Sequence, residues 1–459
     1  MEFRPDSDNA SPVQADLLIR NALVVTMDAE ARVIDNGAVA VRDNLIVGVG
    51  ETKDLDDTFT ASRVIDGRRK LVMPGLINTH THSPMTIYRG FADDLPLRDW
   101  LYDYIFPTES TFTSPENVRA GTRLAIAEML LSGTTTFNDM YYYMDEMASV
   151  VDQVGIRAVL SEGLIDFPAP NSPSPAEGVS NIEGLIKKWK NHPRLRIGVG
   201  VHSPYTVSPH WLKRGKELAD HHGLLYNVHL AETRWEFDYI QKKFGHSPAK
   251  HLHLTGVLDH NVVAAHGVHL TDEDIRLLAD HGVGVAHNPQ CNMKLASGVA
   301  RIPELLKAGV RVGIGTDGVA SNNDLDLFDE MRTMAFLHKL NSGDPTVISA
   351  REALEMATMG GARLLGMDRE VGSLETGKKA DLIVLNMNQP HAHPVYNIYS
   401  LIVYSLRGAD VQHVMVDGRW LLFDRKLCSL DLGRLYEKVE GIAGKIKEEA
   451  MRLGIFNGH

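Results

Sequence analysis

The chain has 459 residues, and 47 Lys and Arg against 59 Asp and Glu leave a formal net charge of −12. That sign argues against a nucleic-acid backbone or an anionic membrane surface as the main partner, because both reward a basic face. A composition 44% hydrophobic and 23% charged belongs to a folded globular chain, and two cysteines, Cys291 and Cys428, exclude a disulfide scaffold and a Cys-rich zinc module.

At roughly 100–200 residues per domain, the length suits about three domains, or one large barrel with a smaller companion. Met1 to Gln14 is polar, with neither an apolar run nor a basic flank, so it does not read as a signal peptide. No stretch approaches the roughly 18 apolar residues of a membrane span, and a cytoplasmic location is the expectation. Residues 16–73 alternate apolar and polar positions. Asp16–Val25, Gly37–Val41, Leu45–Val49 and Ser62–Ile65 read as strands, with turns at Arg42-Asp43-Asn44 and Asp66-Gly67.

Residues 74–370 change texture, with short apolar runs alternating with helical patterns. The strand candidates are Leu76–Thr81, Thr134–Met140, Arg157–Leu164, Leu195–His202, Leu225–Ala231, Val262–Val268, Val283–Asn288 and Val312–Asp317. Ser114-Pro115 and Ser208-Pro209 open helices that end at Gly133 and Gly223, and Thr271 caps another with Asp274 three residues on. Eight strands alternating with helices predict a (β/α)₈ TIM barrel, with a doubly wound sheet as the rival. The early β texture returns in Ala380–Leu385, Val411–Val416 and Arg419–Phe423, with a hairpin turn at Asp417-Gly418. The expected organisation is a small β-sandwich domain built from both chain ends (1–73 plus 371–430), a barrel (74–370) and a solvated C-terminal helix (431–459).

Of 21 histidines, 14 fall between His192 and His287, but the ends of the predicted strands matter more, because barrel chemistry sits where the strands run out. Strand one ends in His80-Thr81-His82, whose two imidazoles share a face at spacing i, i+2. Strand four ends in His202, strand five in His229 with Glu232 three residues on, strand six carries His266, and strand eight ends in Asp317. Any of these alone is ordinary. Together, His80, His82, His229 and Asp317 make an N₃O donor set suited to one Zn²⁺, with Fe²⁺ or Mn²⁺ ranked below it.

Other signals carry less. Gly372 to Lys379 mimics a phosphate loop but has Lys379 where a Mg²⁺-binding hydroxyl belongs, and reads as a turn entering a strand. His221, His222, His251 and His253 read as solvated groups on helix surfaces or ends, His391 and His393 as loop residues, and Cys291 as a small pocket-lining residue with no base paired to it.

The segments Val72-Met-Pro-Gly-Leu-Ile-Asn-Thr-His80-Thr-His82, His229-Leu-Ala-Glu232, His266-Gly, His287-Asn-Pro and Gly315-Thr-Asp317-Gly together resemble the amidohydrolase superfamily. Within it, Tyr88-Arg-Gly-Phe-Ala-Asp-Asp-Leu-Pro-Leu and Trp100 through Glu109 are similar to the methylthioadenosine/S-adenosylhomocysteine deaminases, relatives of the triazine hydrolases. The likeness runs from about Asp16 to Phe423. It implies a single divalent metal on His80, His82, His229 and Asp317, since strand four ends in His202 and not in a bridging lysine. It further implies Glu232 as proton shuttle, His266 as the group polarising the attacking hydroxide, Asp317 as proton acceptor, and Trp100, Glu109 and His202 as contacts to a nucleoside. Phe91 to Phe106 is long enough for a lid. The implied activity is hydrolytic deamination of the adenine of S-adenosylhomocysteine, methylthioadenosine or adenosine. The alternatives are the same chemistry on guanine, a pterin or an s-triazine, or, at further remove, a barrel that has lost catalysis. The expected partner is a small nucleoside or heterocycle, not nucleic acid or membrane, with homo-oligomerisation left open.

Overall fold

The computed structural model describes residues 12–456. Met1 to Gln14, read above as lacking a signal peptide, lies outside them through residue 11, as does the tail beyond 456. Eight parallel strands form one sheet in simple sequential order: Leu76–Thr81, Thr134–Tyr141, Arg157–Leu164, Leu195–Val201, Leu225–Leu230, Val262–His266, Gly284–His287 and Arg311–Ile314. A doubly wound sheet would reverse its strand order partway; this one does not. The first and last strands meet through Asp317 N–H donating to His80 O at 3.0 Å and the Asn78 amide donating to Thr316 Oγ1 at 2.8 Å, which brings the sheet round into a barrel. Strands two and three are buried at every position, as expected when side chains fill the barrel inside and helices cover it outside. Polar side chains floor the site: Asn138 donates to Thr79 O (2.9 Å) and Asn227 Oδ1 (2.7 Å), and Asn227 donates to Ser161 Oγ (2.8 Å). Gly315 allows the closure, because a Cβ there would lie 2.8 Å from the backbone N of His80.

The chain ends build a second, mixed sheet. Val13–Val25 pairs antiparallel with Val33–Arg42 and parallel with both Phe59–Asp66 and Lys70–Pro74. Lys70–Pro74 pairs antiparallel with Leu382–Asn386, which continues through Val411–Val416, Arg419–Phe423 and Lys426–Leu427. This nine-stranded ladder is continuous, yet Val39, Val41 and Ile46 from one end share a core with Leu382, Val384 and Met415 from the other. The sandwich is therefore one sheet folded over on itself. Two of its three expected turns face each other, with the Asn44 amide donating to Asp417 Oδ1 at 3.0 Å. Only glycine fits at Gly418 (φ +76°), where a Cβ would sit 2.0 Å from Asp43 O. Arg157, which opens barrel strand three, joins the two sheets through a bidentate pair with Asp381 (2.8 and 3.0 Å), both side chains about 1% exposed.

The caps follow the local sequence. Ser114 Oγ accepts from Asn117 N, Thr271 and Asp274 complete a capping box, and Gly223 closes Pro209–His222 at φ +65°. Ser208 precedes its helix without a side-chain cap and instead donates its N–H to Asp166. Two expectations change, and a third gains detail. The ladders of strands five and six stop at Leu230 and His266, because Ala231 (φ +50°) and His266 (φ +73°) adopt left-handed backbone that a strand cannot continue, and that of strand eight stops at Ile314, three residues before Asp317 (φ +60°). Phe91 to Phe106, the stretch long enough for a lid, is largely helical: Leu97–Asp99 leads into a π-helical stretch at Trp100–Ile105 and then Phe106–Phe112. The C-terminal helix Leu432–Leu453 is not wholly solvated; it buries Leu435, Ile446 and Ala450 and packs against Pro115–Leu131.

Candidate metal centre and cavity

His80 and His82 leave strand one on the same side and meet Asp317 from strand eight, with His80 Nε2 and His82 Nε2 lying 3.3 and 3.2 Å from Asp317 Oδ1. His229 from strand five brings its Nε2 to 3.3 Å from that of His82. Each imidazole is aimed by a backbone contact: His82 Nδ1–H donates to Met140 O (2.5 Å) and His229 Nδ1–H to His202 O (2.7 Å), which leaves both Nε2 lone pairs facing inward. Asp317 is aimed likewise, since Ser321 Oγ–H and Cys291 Sγ–H both donate to Oδ2 at 2.8 Å and leave Oδ1 free.

The donor set passes a geometric test for a metal. Bonds of about 2.0–2.1 Å at tetrahedral angles put ligand atoms about 3.3 Å apart, matching the separations of 3.2–3.3 Å. His80 Nε2 and Asp317 Oδ1 are buried without a hydrogen-bond partner, and the four donor atoms lie within 4.8 Å of one another. Burial holds His80 down at about 4. Burial is also the largest single influence on His82, but the bond and charge of Asp317, the charge of Asp139 and the Met140 contact together outweigh it and lift His82 to about 9. Three imidazoles and a carboxylate converging on one point fit a divalent ion.

Glu232 and His266 stand beside this set, with His266 Nε2 3.7 Å from Glu232 Oε2 and His266 Nδ1–H donating to Asn292 Oδ1 at 3.0 Å. Burial raises the Glu232 carboxyl above its ordinary range. Its backbone is pinned by Glu236, a fully buried side chain whose two oxygens accept the N–H groups of Ala231 and Glu232, both at 2.9 Å. That clamp holds the left-handed turn at Ala231 between His229 and Glu232.

His82, His229, Asp317, Glu232 and His266 line one cavity, and Trp100, Glu109 and His202 line it too. Glu109 sits on helix Phe106–Phe112 and is buried, and burial pushes it up to about 7 despite the bond from Tyr141. Trp100 presents a buried Nε1 that has no partner. His202 is held by Thr206 Oγ1 at 2.8 Å from Nδ1, and burial keeps it neutral, with its pKa down at about 3. Every sequence-predicted site residue thus converges on one place.

Sequence reasoning missed Glu236, Ser321, Asn292 and the contact of Cys291 with Asp317. The Thr233-x-x-Glu236 spacing was a legible capping-box signal; the other three are brought in only by the fold. His251, expected to be solvated, is buried against Phe244 with ring centroids 4.1 Å apart. Among the described residues, no helix is long and apolar enough to cross a membrane.

Comparison with known proteins places this geometry. The amidohydrolase family matches residues 71–421. The 5-methylthioadenosine/S-adenosylhomocysteine deaminase of Syntrophobacter fumaroxidans is 46% identical over 434 residues, covering 95% of this chain and 99% of that protein. A solved adenosine deaminase from Xanthomonas campestris with bound zinc superposes with a TM-score of 0.94 at 38% identity, over 95% of this chain and 100% of the other. An atrazine chlorohydrolase from Arthrobacter aurescens in complex with zinc follows at TM-score 0.87 and 26% identity, over 93% and 100%.

Proposed function

The chain belongs to the amidohydrolase family, and we propose on that premise that it is a metal-dependent hydrolytic deaminase of adenine nucleosides. It converts the adenine of S-adenosylhomocysteine, methylthioadenosine or adenosine to hypoxanthine and releases ammonia. One observation carries the reading: an N₃O donor set and a buried, raised carboxyl open onto the same cavity as Trp100 and Glu109, in a chain 46% identical to a deaminase of such thioethers.

The ion is one Zn²⁺ on His80, His82, His229 and Asp317. When bound, it supplies Lewis-acid activation, bringing the pKa of water from about 15.7 towards about 7. The residues supply the rest. Water adds at C6 of the purine and pushes electrons to N1, so an acid must stand at N1. Glu232, whose carboxyl burial shifts towards the protonated form, gives that proton. Asp317, held by Ser321 and Cys291 at Oδ2, receives a proton from the attacking water and passes it towards the departing amine. His266, fixed through Asn292, turns Nε2 towards the attacking oxygen. Glu109 accepts from the ribose hydroxyls, His202 contacts the base, and Trp100 walls the sugar side. The setting is cytoplasmic, with a small-molecule partner and no nucleic acid or membrane.

The direct test is the ultraviolet shift from adenine to hypoxanthine on incubation with methylthioadenosine, S-adenosylhomocysteine and adenosine; metal-loaded protein inert on all three would end the reading. Chelation is expected to abolish turnover and added Zn²⁺ to restore it, and His229→Ala is expected to lose stoichiometric metal, read by elemental analysis. Glu236→Gln can accept only one of the two backbone N–H groups and turns a donor at the other. It is expected to lower kcat by about 10²-fold through misplacement of Glu232 while metal content holds, measured by the same assay and elemental analysis.

A further inference from the structure

We infer that the cavity selects nucleosides whose 5′ substituent carries no carboxylate, so that an alkylthio nucleoside is preferred over the amino-acid thioether; this rests on the deaminase reading above. The two thioethers differ only beyond the sulfur: methylthioadenosine ends in a methyl group, S-adenosylhomocysteine in an ammonium and a carboxylate. The carboxyl groups in the cavity wall are Glu109, Glu232 and Asp317, and among the described residues no lysine or arginine lines it. The imidazoles there are engaged: His82 and His229 in the donor set, His266 with Asn292 and His202 with Thr206. The remaining wall is largely aliphatic and aromatic, including Leu97, Leu101, Ile105, Phe106 and Leu295.

The cations next in sequence to these lining residues are already paired. Arg98, after Leu97, bonds Asp99 at 2.9 Å; Lys294, before Leu295, bonds Asp93 at 2.5 Å; Arg234, near Glu232, bonds Asp238 at 2.8 Å. A buried carboxylate needs a partner to offset its lost hydration. Here it would meet apolar wall and cations already held by other carboxylates. An alkyl group meets the surface it packs against best, and an ammonium without its carboxylate leaves only one charge to desolvate.

The test is a substrate series on the metal-loaded wild-type protein: methylthioadenosine, 5′-butylthio-5′-deoxyadenosine, the decarboxylated thiopropylamine analogue and S-adenosylhomocysteine, compared by kcat/KM. The butyl analogue approximates the length of the homocysteine chain without its charges. It is expected within tenfold of methylthioadenosine, with the amine analogue between it and S-adenosylhomocysteine, and the last at least 100-fold below methylthioadenosine. S-Adenosylhomocysteine within threefold of methylthioadenosine overturns the inference. So does a butyl analogue as poor as S-adenosylhomocysteine, because length would then decide. Inertness on the whole series removes the deaminase reading itself, and the inference with it.

Discussion

Glu232→Gln is expected to lower kcat by about 10²–10⁴-fold, the range for loss of a positioned acid, while leaving KM and bound metal close to wild type. The substitution preserves size and leaves the backbone clamp from Glu236 intact, so that what disappears is the transferable proton. Glu232 is no metal donor in this reading. Its Oε2 instead lies 3.7 Å from His266 Nε2, beside the donor set. Burial already favours its protonated form, and an amide of the same shape therefore costs little in stability. The checks are steady-state kinetics with methylthioadenosine and elemental analysis of the purified variant. Full kcat in this variant would assign the N1 proton to another group, and loss of metal along with activity would place Glu232 among the ligands.

The largest effect on stability is expected at a distance from the chemistry. Asp381→Ala leaves the Arg157 guanidinium in a site where its side chain is 1% exposed. Its remaining contacts are Pro193 O at 3.3 Å and Asp417 Oδ1 at 3.6 Å. Breaking a buried pair from one side costs about 3–5 kcal/mol, because the surviving charge is stranded. Asp381 also accepts the Asp417 N–H at 2.8 Å, so the hairpin turn of the small sheet loosens as well. Removing both charges, as Arg157→Met with Asp381→Leu, is expected to recover most of the loss, since apolar groups of similar volume often replace a buried pair without penalty. Urea unfolding midpoints of the wild type and the two variants measure this. The Asp381→Ala midpoint should fall well below both others.

Both residues were visible in the sequence, but only Glu232 was recognisable. Three residues after a strand-end histidine, it stood where a barrel places its acids. Arg157 looked like an ordinary first residue of a strand, and Asp381, more than 200 positions later, gave no sign of being its partner. The donor set follows the same division. His80 and His82 share a face because strands alternate side chains, a rule local to three residues. Their meeting with His229 and Asp317 needed the further expectation that eight strands close into a barrel.

What the sequence determined by itself was whatever short-range chemistry dictates: the strands, the Pro- and Gly-marked helix ends, the capping box at Thr271 and Asp274, and the identity of the groups at the strand ends. The tertiary structure decided which distant groups meet. It turned Trp100, on a π-helical run, and Glu109, on the helix that follows, into the cavity, set Cys291 and Ser321 on the far oxygen of Asp317, buried His251 against Phe244, and folded one continuous sheet into a sandwich. The reason is physical. Strand alternation, capping and turn chemistry act over a few residues and are written in adjacent letters, whereas desolvation and hydrogen bonding between segments depend on which surfaces closure brings together, and no local pattern records that choice.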